Sequence, residues 1–209
     1  MKLHQLRVGA VRSLEDAQGK AWRTAIHKAS VPGPLWLTRE GLPGDQVADR
    51  QSHGGPDQAV LAYAREHYPR WKAQGIVAEE GAFGENLLLE GVDEGEACLG
   101  DIFTLGEARL QITHPRVPCG TLARRLQRPD IVKAVYAQAA GGWYFRVLTE
   151  GWVEAGQSLV LEARPHPQWT VGRALHARWK AQENPEEAYA MARVESLSED
   201  WKRRFGRPS

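Results

Sequence analysis

The chain has 209 residues, of which 42% are apolar and 25% are charged, and this composition excludes a wholly disordered protein. The 27 Lys and Arg residues nearly balance the 26 Asp and Glu residues, so the formal charge is +1 and no overall field would recruit nucleic acid or an anionic membrane. No apolar run has the length of a membrane span, and the N-terminal segment lacks the pattern of a signal peptide, so a cytoplasmic protein is expected.

Short apolar segments separated by glycine and proline predict a strand-rich fold in the larger, N-terminal part of the chain. Residues 109–113 alternate apolar and polar side chains, which is typical of a half-buried strand. Residues 58–63 form a nearly continuous apolar run, which predicts a strand buried on both faces. In chain order, the predicted strands are 35–37, 58–63, 86–90, 102–105, 109–113, 145–148 and 158–162.

Three helices are predicted between these strands. Residues 64–74 form the first, and Gly75 is placed to end it. The second begins near Thr121. The third covers residues 129–139, where a proline suits the first turn and the apolar side chains share one face.

The C-terminal segment, residues 166–209, has a different pattern that predicts three short helices. So small a segment buries little apolar area alone, and we expect Trp169, Trp179 and Trp201 to pack on the rest of the chain or on a partner. The chain is therefore divided into a β domain, residues 1–165, and this three-helix segment.

Cys119 lies in a stiff segment between a predicted strand and a predicted helix. Pro115 and Pro118 restrict the backbone on its N-terminal side, so the thiol has a defined direction. The helix start and nearby cations such as Arg116 favour the thiolate, which would serve as a nucleophile, a sulfur carrier or a soft metal ligand. The alternative is a small buried apolar side chain, which is the role expected for Cys98.

Two further stretches place polar groups beside predicted strands. Gly54 and Gly55 follow His53, and such a glycine pair lets backbone N–H groups approach an anion. Glu85 and Asn86 offer acceptors and donors to the edge of a heterocycle. For each stretch alone, an ordinary turn with solvated side chains is the competing interpretation.

Arg146 lies within an apolar strand, where an unpaired guanidinium is costly, so it must meet an anion, a carboxylate or solvent. The signatures of serine hydrolases, P-loop nucleotidases and zinc helices are absent from the sequence.

Taken together and in this order, four stretches resemble the MOSC domain, named for the C-terminal part of molybdenum cofactor sulfurase. They are His53-Gly-Gly-Pro-Asp-Gln-Ala-Val, Gly84-Glu-Asn-Leu, Pro115-Arg-Val-Pro-Cys and Gly142-Trp-Tyr-Phe-Arg-Val. Within that family the chain is most similar to the bacterial YiiM-like group, which has a matching Arg-Glu-His-Tyr helix and a C-terminal three-helix extension called 3-alpha.

The resemblance implies a mainly β, barrel-like fold and a molybdenum cofactor of the pterin dithiolene type, with Cys119 as the molybdenum ligand. It implies an oxidoreductase that reduces N-hydroxylated compounds, including hydroxylaminopurine-type base analogues, as a form of detoxification. Cys119 and His53 would be catalytic. The residues expected to line the cofactor or substrate pocket are Arg116, Arg146, His53, Gly54, Gly55, Glu85 and Asn86. One departure is Thr121, where the group often has Lys.

Two alternatives use the same cysteine differently. A sulfur carrier for cofactor maturation would hold a persulfide on Cys119, and a thiol hydrolase would pair Cys119 with His114 or His53. A reductase also needs electrons, and the sequence has no flavin, haem or iron–sulfur signature, so a separate electron-donor reductase is expected. The three-helix segment is a candidate docking or homodimer surface, and neither a nucleic-acid nor a membrane partner is expected.

Overall fold

A computed structural model describes residues 1–16, 19–49 and 53–206. The strands are β1 (Lys2–Val8), β2 (Arg12–Glu15), β3 (Ala21–Thr24), β4 (Ala29–Ser30), β5 (Leu35–Leu37), β6 (Val60–Ala64), β7 (Leu87–Glu90), β8 (Ile102–Leu105), β9 (Ala108–Pro115), β10 (Trp143–Thr149), β11 (Gly151–Val153) and β12 (Leu159–Ala163).

The α-helices are α1 (His67–Ala73), α2 (Gly120–Leu126), α3 (Ile131–Gln138), α4 (Val171–Trp179), α5 (Pro185–Ala192) and α6 (Glu199–Phe205), and a 3-10 helix covers Pro56–Gln58. Among these described helices, none combines the length and the apolar content that crossing a membrane requires.

One eight-stranded sheet dominates the fold, in the order β12-β8-β9-β10-β6-β7-β1-β4. Neighbouring strands are antiparallel except β6 and β7, which run parallel. Two smaller pairs, β11 with β5 and the hairpin β2–β3, lie outside this sheet. The prediction of a sheet-dominant fold is therefore confirmed.

Barrel closure is not confirmed. An isolated bridge between Lys2 and Ser158 and three backbone hydrogen bonds join residues 1–3 to residues 156–159, so the start of β1 approaches the β12 end of the sheet. Between the described residues, however, no ladder joins β12 to β1 or to β4. The structure is a mixed fold with a large sheet and six described α-helices rather than a demonstrated barrel.

Side chains along the central strands β6 and β10 point alternately to the two faces of the sheet, and one of these faces packs in the main core. Ala62, Trp143 and Phe145 are buried in the main core. Leu61 precedes Ala62, and Tyr144 lies between Trp143 and Phe145, so both point to the opposite face, where they are paired across β6 and β10. This opposite face carries the cavity described below.

The three-helix segment packs directly on the sheet. Trp169 and Trp201 are buried in the main core, as expected from the sequence. Trp179 is 43% exposed and stacks on Tyr136 of α3 with ring centres 5.3 Å apart. The division into residues 1–165 and 166–209 stays a prediction, and residues 207–209 lie outside the described ranges.

A second, smaller core holds α1, α2 and α3 against β6. Tyr63 stacks on Phe83 with ring centres 4.2 Å apart, and its hydroxyl accepts a hydrogen bond of 2.7 Å from Trp71 Nε1. Leu122 of α2 and Val135 of α3 are fully buried in the same cluster. This packing fixes the position of α2, and therefore of the cysteine that precedes it.

Replacing Trp201 tests whether the three-helix segment is part of the same cooperative unit as the sheet. We expect Trp201→Ala to lower the free energy of unfolding by about 3–5 kcal/mol, because it removes a buried indole. The matched control Trp179→Ala removes a half-exposed indole and should cost about 1 kcal/mol or less. Urea unfolding followed by circular dichroism measures both, and equal losses for the two variants would contradict this packing.

Candidate functional site

A cavity of about 690 Å³ opens on the face of the sheet where Leu61 and Tyr144 point. This volume falls within the range of roughly 300–1,000 Å³ that is typical of small-molecule sites. Its described walls come from the segments around residues 23–28 and 38–49, from residues 53–59, and from Asn86, Arg116, Cys119 and Thr121.

The backbone of Arg116 is held against a pair of glycines. The N–H of Arg116 donates a hydrogen bond of 2.9 Å to the carbonyl of Gly142. A Cβ atom at Gly141 would lie 2.6 Å from the Arg116 carbonyl oxygen, and one at Gly142 would lie 2.2 Å from the Ala62 carbonyl oxygen. The glycines are therefore required for this close approach of three segments.

A buried carboxylate holds the glycine pair in place. Glu94 is 2% exposed, and its Oε1 atom accepts a hydrogen bond of 2.6 Å from the Gly142 N–H. Its Oε2 atom lies 2.6 Å from Nε2 of the buried His67. His67 is thus a structural residue that fixes Glu94, and through it the turn on which Arg116 depends.

Arg116 brings an uncompensated charge to the cavity. Its side chain is 6% exposed and lines the cavity, and its Nη1 atom is buried without a hydrogen-bond partner. No ion pair of Arg116 is present within the described ranges. A buried guanidinium nitrogen without a partner is unfavourable, so this wall of the cavity favours an anion. Lys28, the other buried cation of this wall, is already neutralised by Asp45 at 2.6 Å.

Cys119 precedes α2 as its N-cap residue and lines the same cavity. Burial alone would raise the pKa of its thiol. The Arg116 guanidinium, the backbone N–H groups of Leu122 and Thr121, and the Thr121 hydroxyl outweigh burial and lower the pKa below its usual value. Arg116 and these hydrogen bonds therefore favour the thiolate form of the half-buried sulfur more than in an ordinary thiol.

Cys98 has the opposite environment. It is 2% exposed, does not line the cavity, and its Sγ lies near the carbonyl oxygens of Glu96 and Pro167 at 3.7 and 3.6 Å. Burial, and then the Asp101 carboxylate, raise the pKa of this thiol. The expectation that Cys98 packs in the core is confirmed.

The His53 turn faces the cavity, as the resemblance implies. Gly54 and Gly55 have positive φ angles of 86° and 84°, and the Gly54 N–H donates to Gln58 Oε1 at 3.2 Å. His53 is exposed at the rim. The surrounding protein, and then the Arg116 guanidinium, lower the pKa of its imidazole, so His53 is mainly neutral at pH 7.

Asn86 also lines the cavity, but its amide is committed to the fold. Its Oδ1 accepts from the Leu61 N–H at 3.0 Å, and its Nδ2 donates to the Arg7 carbonyl at 3.2 Å and to Asp45 Oδ2 at 2.9 Å. The hydrogen bond from Asn86 to Asp45 holds the 38–49 segment against the sheet, and Asp45 also pairs with Lys28.

Two expected pocket residues are not brought to the cavity. Glu85 is fully buried, and its Oε1 accepts hydrogen bonds from the Tyr68 hydroxyl at 2.6 Å and the Gly81 N–H at 2.7 Å. Burial raises the pKa of Glu85. Arg146 forms an ion pair with Asp57, with 2.7 Å between Nη2 and Oδ1. Of the three partners predicted for this guanidinium, it therefore meets a carboxylate.

His114 is unsuited to activate Cys119. It is 2% exposed and lies between the rings of Tyr144 and Trp201, at 5.2 and 5.4 Å between ring centres. Burial, and then the charges of Arg146 and Arg178, lower its pKa to about 3. An imidazole of such low basicity outside the cavity walls does not form the pair with Cys119 that a thiol hydrolase requires.

The sequence did not predict that Tyr144 and the Lys28–Asp45 pair line the cavity. Tyr144 lies two positions before Arg146 in the alternating strand β10, so the period of two would have placed both on the same face. Asp45 lies in an irregular segment whose pairing with Lys28 depends on tertiary contact, and no local signal marks it.

In the described part of the chain, no group of three or more His, Cys, Asp and Glu side chains is arranged to hold a metal ion.

Comparisons with known proteins agree with the resemblance. The family profile of the MOSC domain matches residues 49–160. Protein YiiM of Escherichia coli is 37% identical over 186 residues, covering 86% of this chain and 82% of that protein. The crystal structure of YiiM from Geobacillus stearothermophilus superposes with a TM-score of 0.81 at 32% identity, covering 98% of this chain and 96% of that one.

A fungal relative is longer. A protein of Gibberella moniliformis named "Reductase" is 34% identical over 184 residues, which cover 84% of this chain. The aligned part is 32% of the fungal protein, so this chain spans about one third of its length.

The influence of Arg116 on Cys119 predicts a pH dependence of alkylation. The wild-type rate of reaction with iodoacetamide should rise with pH around a midpoint below that of an ordinary thiol. In Arg116→Met the stabilising cation is lost, the pKa rises, and the rate at neutral pH should fall by about threefold to tenfold. Peptide-resolved mass spectrometry measures the rates, with the slowly reacting Cys98 as the internal control. An unchanged midpoint in Arg116→Met would contradict the electrostatic account.

Proposed function

This chain belongs to the MOSC domain family, and we propose that it is a molybdenum-cofactor-dependent reductase of N-hydroxylated compounds. The family and the relative named "Reductase" support an oxidoreductase. The molybdenum cofactor and the N-hydroxylated substrate are proposed from the residues of the cavity together with the family resemblance.

The observation that carries the proposal is that one cavity brings together a cysteine whose pKa is lowered and a cation with a buried, unpaired donor. Cys119 offers a soft sulfur ligand, and Arg116 offers an unsatisfied buried donor. A pterin dithiolene cofactor carries both a soft metal and a phosphate, so Cys119 matches the metal and Arg116 the phosphate. The cavity volume of about 690 Å³ accommodates a ligand of that size.

Each residue has a defined task in this scheme. Cys119 would hold the molybdenum and Arg116 the phosphate, while the His53-Gly54-Gly55 turn and Tyr144 would form the walls beside them. The bound cofactor supplies a two-electron redox change. Thr121 stabilises the Cys119 thiolate with its hydroxyl, a contribution that needs no cation at that position.

The overall reaction also consumes protons. Reduction of R–NHOH by two electrons and two protons breaks the N–O bond and gives R–NH₂ and water. In this proposal His53, which is exposed and lines the cavity, would deliver a proton, and its lowered pKa means that this contribution grows as the pH falls below neutrality.

A sulfur-carrier function is the second candidate, because a half-buried thiolate facing a cavity is also suited to hold a persulfide. The two functions differ in what Cys119 carries: a metal in the first, a second sulfur atom in the second. Only the first turns over an N-hydroxy substrate.

Replacing each cysteine in turn tests the proposal. Protein from a host that makes the cofactor should contain about one molybdenum atom per chain and reduce hydroxylaminopurine. Cys119→Ser should lose more than about 90% of both, because a neutral hydroxyl is a poor ligand for a soft metal. Elemental analysis and a chromatographic assay give the two values.

Cys98→Ser is the matched control, because Cys98 lies outside the cavity, and it should keep both metal and activity. Full molybdenum content and turnover in Cys119→Ser would refute the ligand assignment. A persulfide on Cys119 in wild-type protein that lacks molybdenum and turnover would favour the sulfur carrier.

A further inference from the structure

A basic surface patch lies beside the cavity, where the hairpin β2–β3 meets α2. We define this hairpin–α2 patch as Arg12, His27, Arg124 and Arg125. Arg12 and Arg124 are exposed, and His27 and Arg125 are half-buried. The guanidinium carbon of Arg124 lies 5.7 Å from the ring centre of Trp22 and so joins the helix to the hairpin.

The charges of this patch have no counter-charge in the described ranges. None of its three arginines forms an ion pair with a described carboxylate, and Arg125 Nε is buried without a hydrogen-bond partner. Burial, and then the positive charges of Arg125 and Arg12, lower the pKa of His27. Arg128, by contrast, pairs with Asp130 at 2.7 Å.

The patch adjoins the candidate metal ligand. Helix α2 follows Cys119 directly, and Arg124 and Arg125 lie near its far end. At the rise of an α-helix, these arginines are roughly 8 Å along the axis from Cys119. A protein that covers the patch would therefore lie against the wall of the cavity.

We propose that the hairpin–α2 patch docks an acidic electron-carrier protein that supplies the electrons for turnover. The inference rests on the proposed reductase function. For each R–NHOH converted with two protons to R–NH₂ and water, the carrier is oxidised by two electrons, taken from one or two carrier molecules. Opposite charges steer such short-lived encounters, and the contact areas involved are small.

The chain's formal charge of +1 makes the patch a local feature rather than part of a basic surface. A nucleic acid is bound through many phosphate contacts along a basic stripe, whereas this patch has three arginines and one mainly neutral histidine. Its size and its position next to Cys119 therefore favour a small acidic redox protein, whose own redox centre must come close for electron transfer.

The test compares electron donors on the cofactor-loaded, full-length protein, with hydroxylaminopurine as the substrate. The donors are a reduced flavodoxin and a reduced plant-type ferredoxin, both acidic proteins, and the small dye methyl viologen reduced with dithionite. In Arg124→Gln/Arg125→Gln, the KM for a protein donor should rise by about tenfold at low ionic strength, with kcat and the dye-driven rate unchanged. Added salt should raise the wild-type KM and leave that of the variant nearly constant.

Two control variants separate charge from structure. Arg124→Lys/Arg125→Lys keeps the charge and should keep the low KM. Arg203→Gln/Arg204→Gln removes two exposed arginines from α6, which lies outside the patch, and should behave as wild type.

Three results overturn the inference. The first is a wild-type protein that turns over with the dye but with neither protein donor. The second is an unchanged KM for the protein donors in the Gln variant. The third is a Gln variant that loses affinity for a single-stranded oligonucleotide while its KM for the donors is unchanged. Failure of the dye as well would refute the proposed function, and the inference with it.

Discussion

An arginine without a counter-charge, buried at the wall of a cavity, is the interaction on which the site depends. Arg116 is 6% exposed, its Nη1 atom is buried without a hydrogen-bond partner, and it has no described carboxylate partner. Its charge acts on the groups around it: together with hydrogen bonds from Leu122 and Thr121 it lowers the pKa of Cys119 against the effect of burial, and it also lowers the pKa of His53. One cation thus makes the cavity favourable to an anion and shifts the nearby thiol toward its ionised form.

The fold holds that unfavourable charge in place through polar contacts away from the cavity. His67 contacts Glu94, Glu94 binds the Gly142 N–H, and the Gly142 carbonyl accepts from the Arg116 N–H. The glycine pair permits the contact because side chains there would collide with neighbouring carbonyls. Electrostatic strain at a functional site is thus supported by a satisfied buried network elsewhere.

The sequence predicted the regular parts of the fold and missed the parts set by tertiary contact. Strands with alternating or continuous apolar runs, such as β6 and β9, were found because each side chain's face follows from the period of two. β1 was missed because a bulge between Leu3 and Gln5 breaks its alternation, so that the buried Leu3 and Leu6 are three positions apart. The helix predicted at 64–74 begins only at His67, because β6 continues to Ala64 through its parallel pairing with β7.

At the site, too, residues marked by local sequence were predicted correctly, and residues positioned by tertiary contacts were not. Cys119 and Arg116 were found because prolines and charge mark them locally, and the structure brings both to one cavity with His53 and Asn86. Glu85 and Arg146 were expected there from the resemblance, but other side chains hold them elsewhere: the buried Tyr68 for the first and the half-buried Asp57 for the second. Such pairings join distant parts of the chain, and a linear motif does not encode them.

The most direct test of the account is the number of sulfur atoms bound to molybdenum in the loaded protein. X-ray absorption at the molybdenum edge should show one molybdenum–sulfur bond beyond the pair that the dithiolene itself supplies, contributed by Cys119. A spectrum fitted by the dithiolene sulfurs alone would show that the cysteine is not a ligand and would contradict the account.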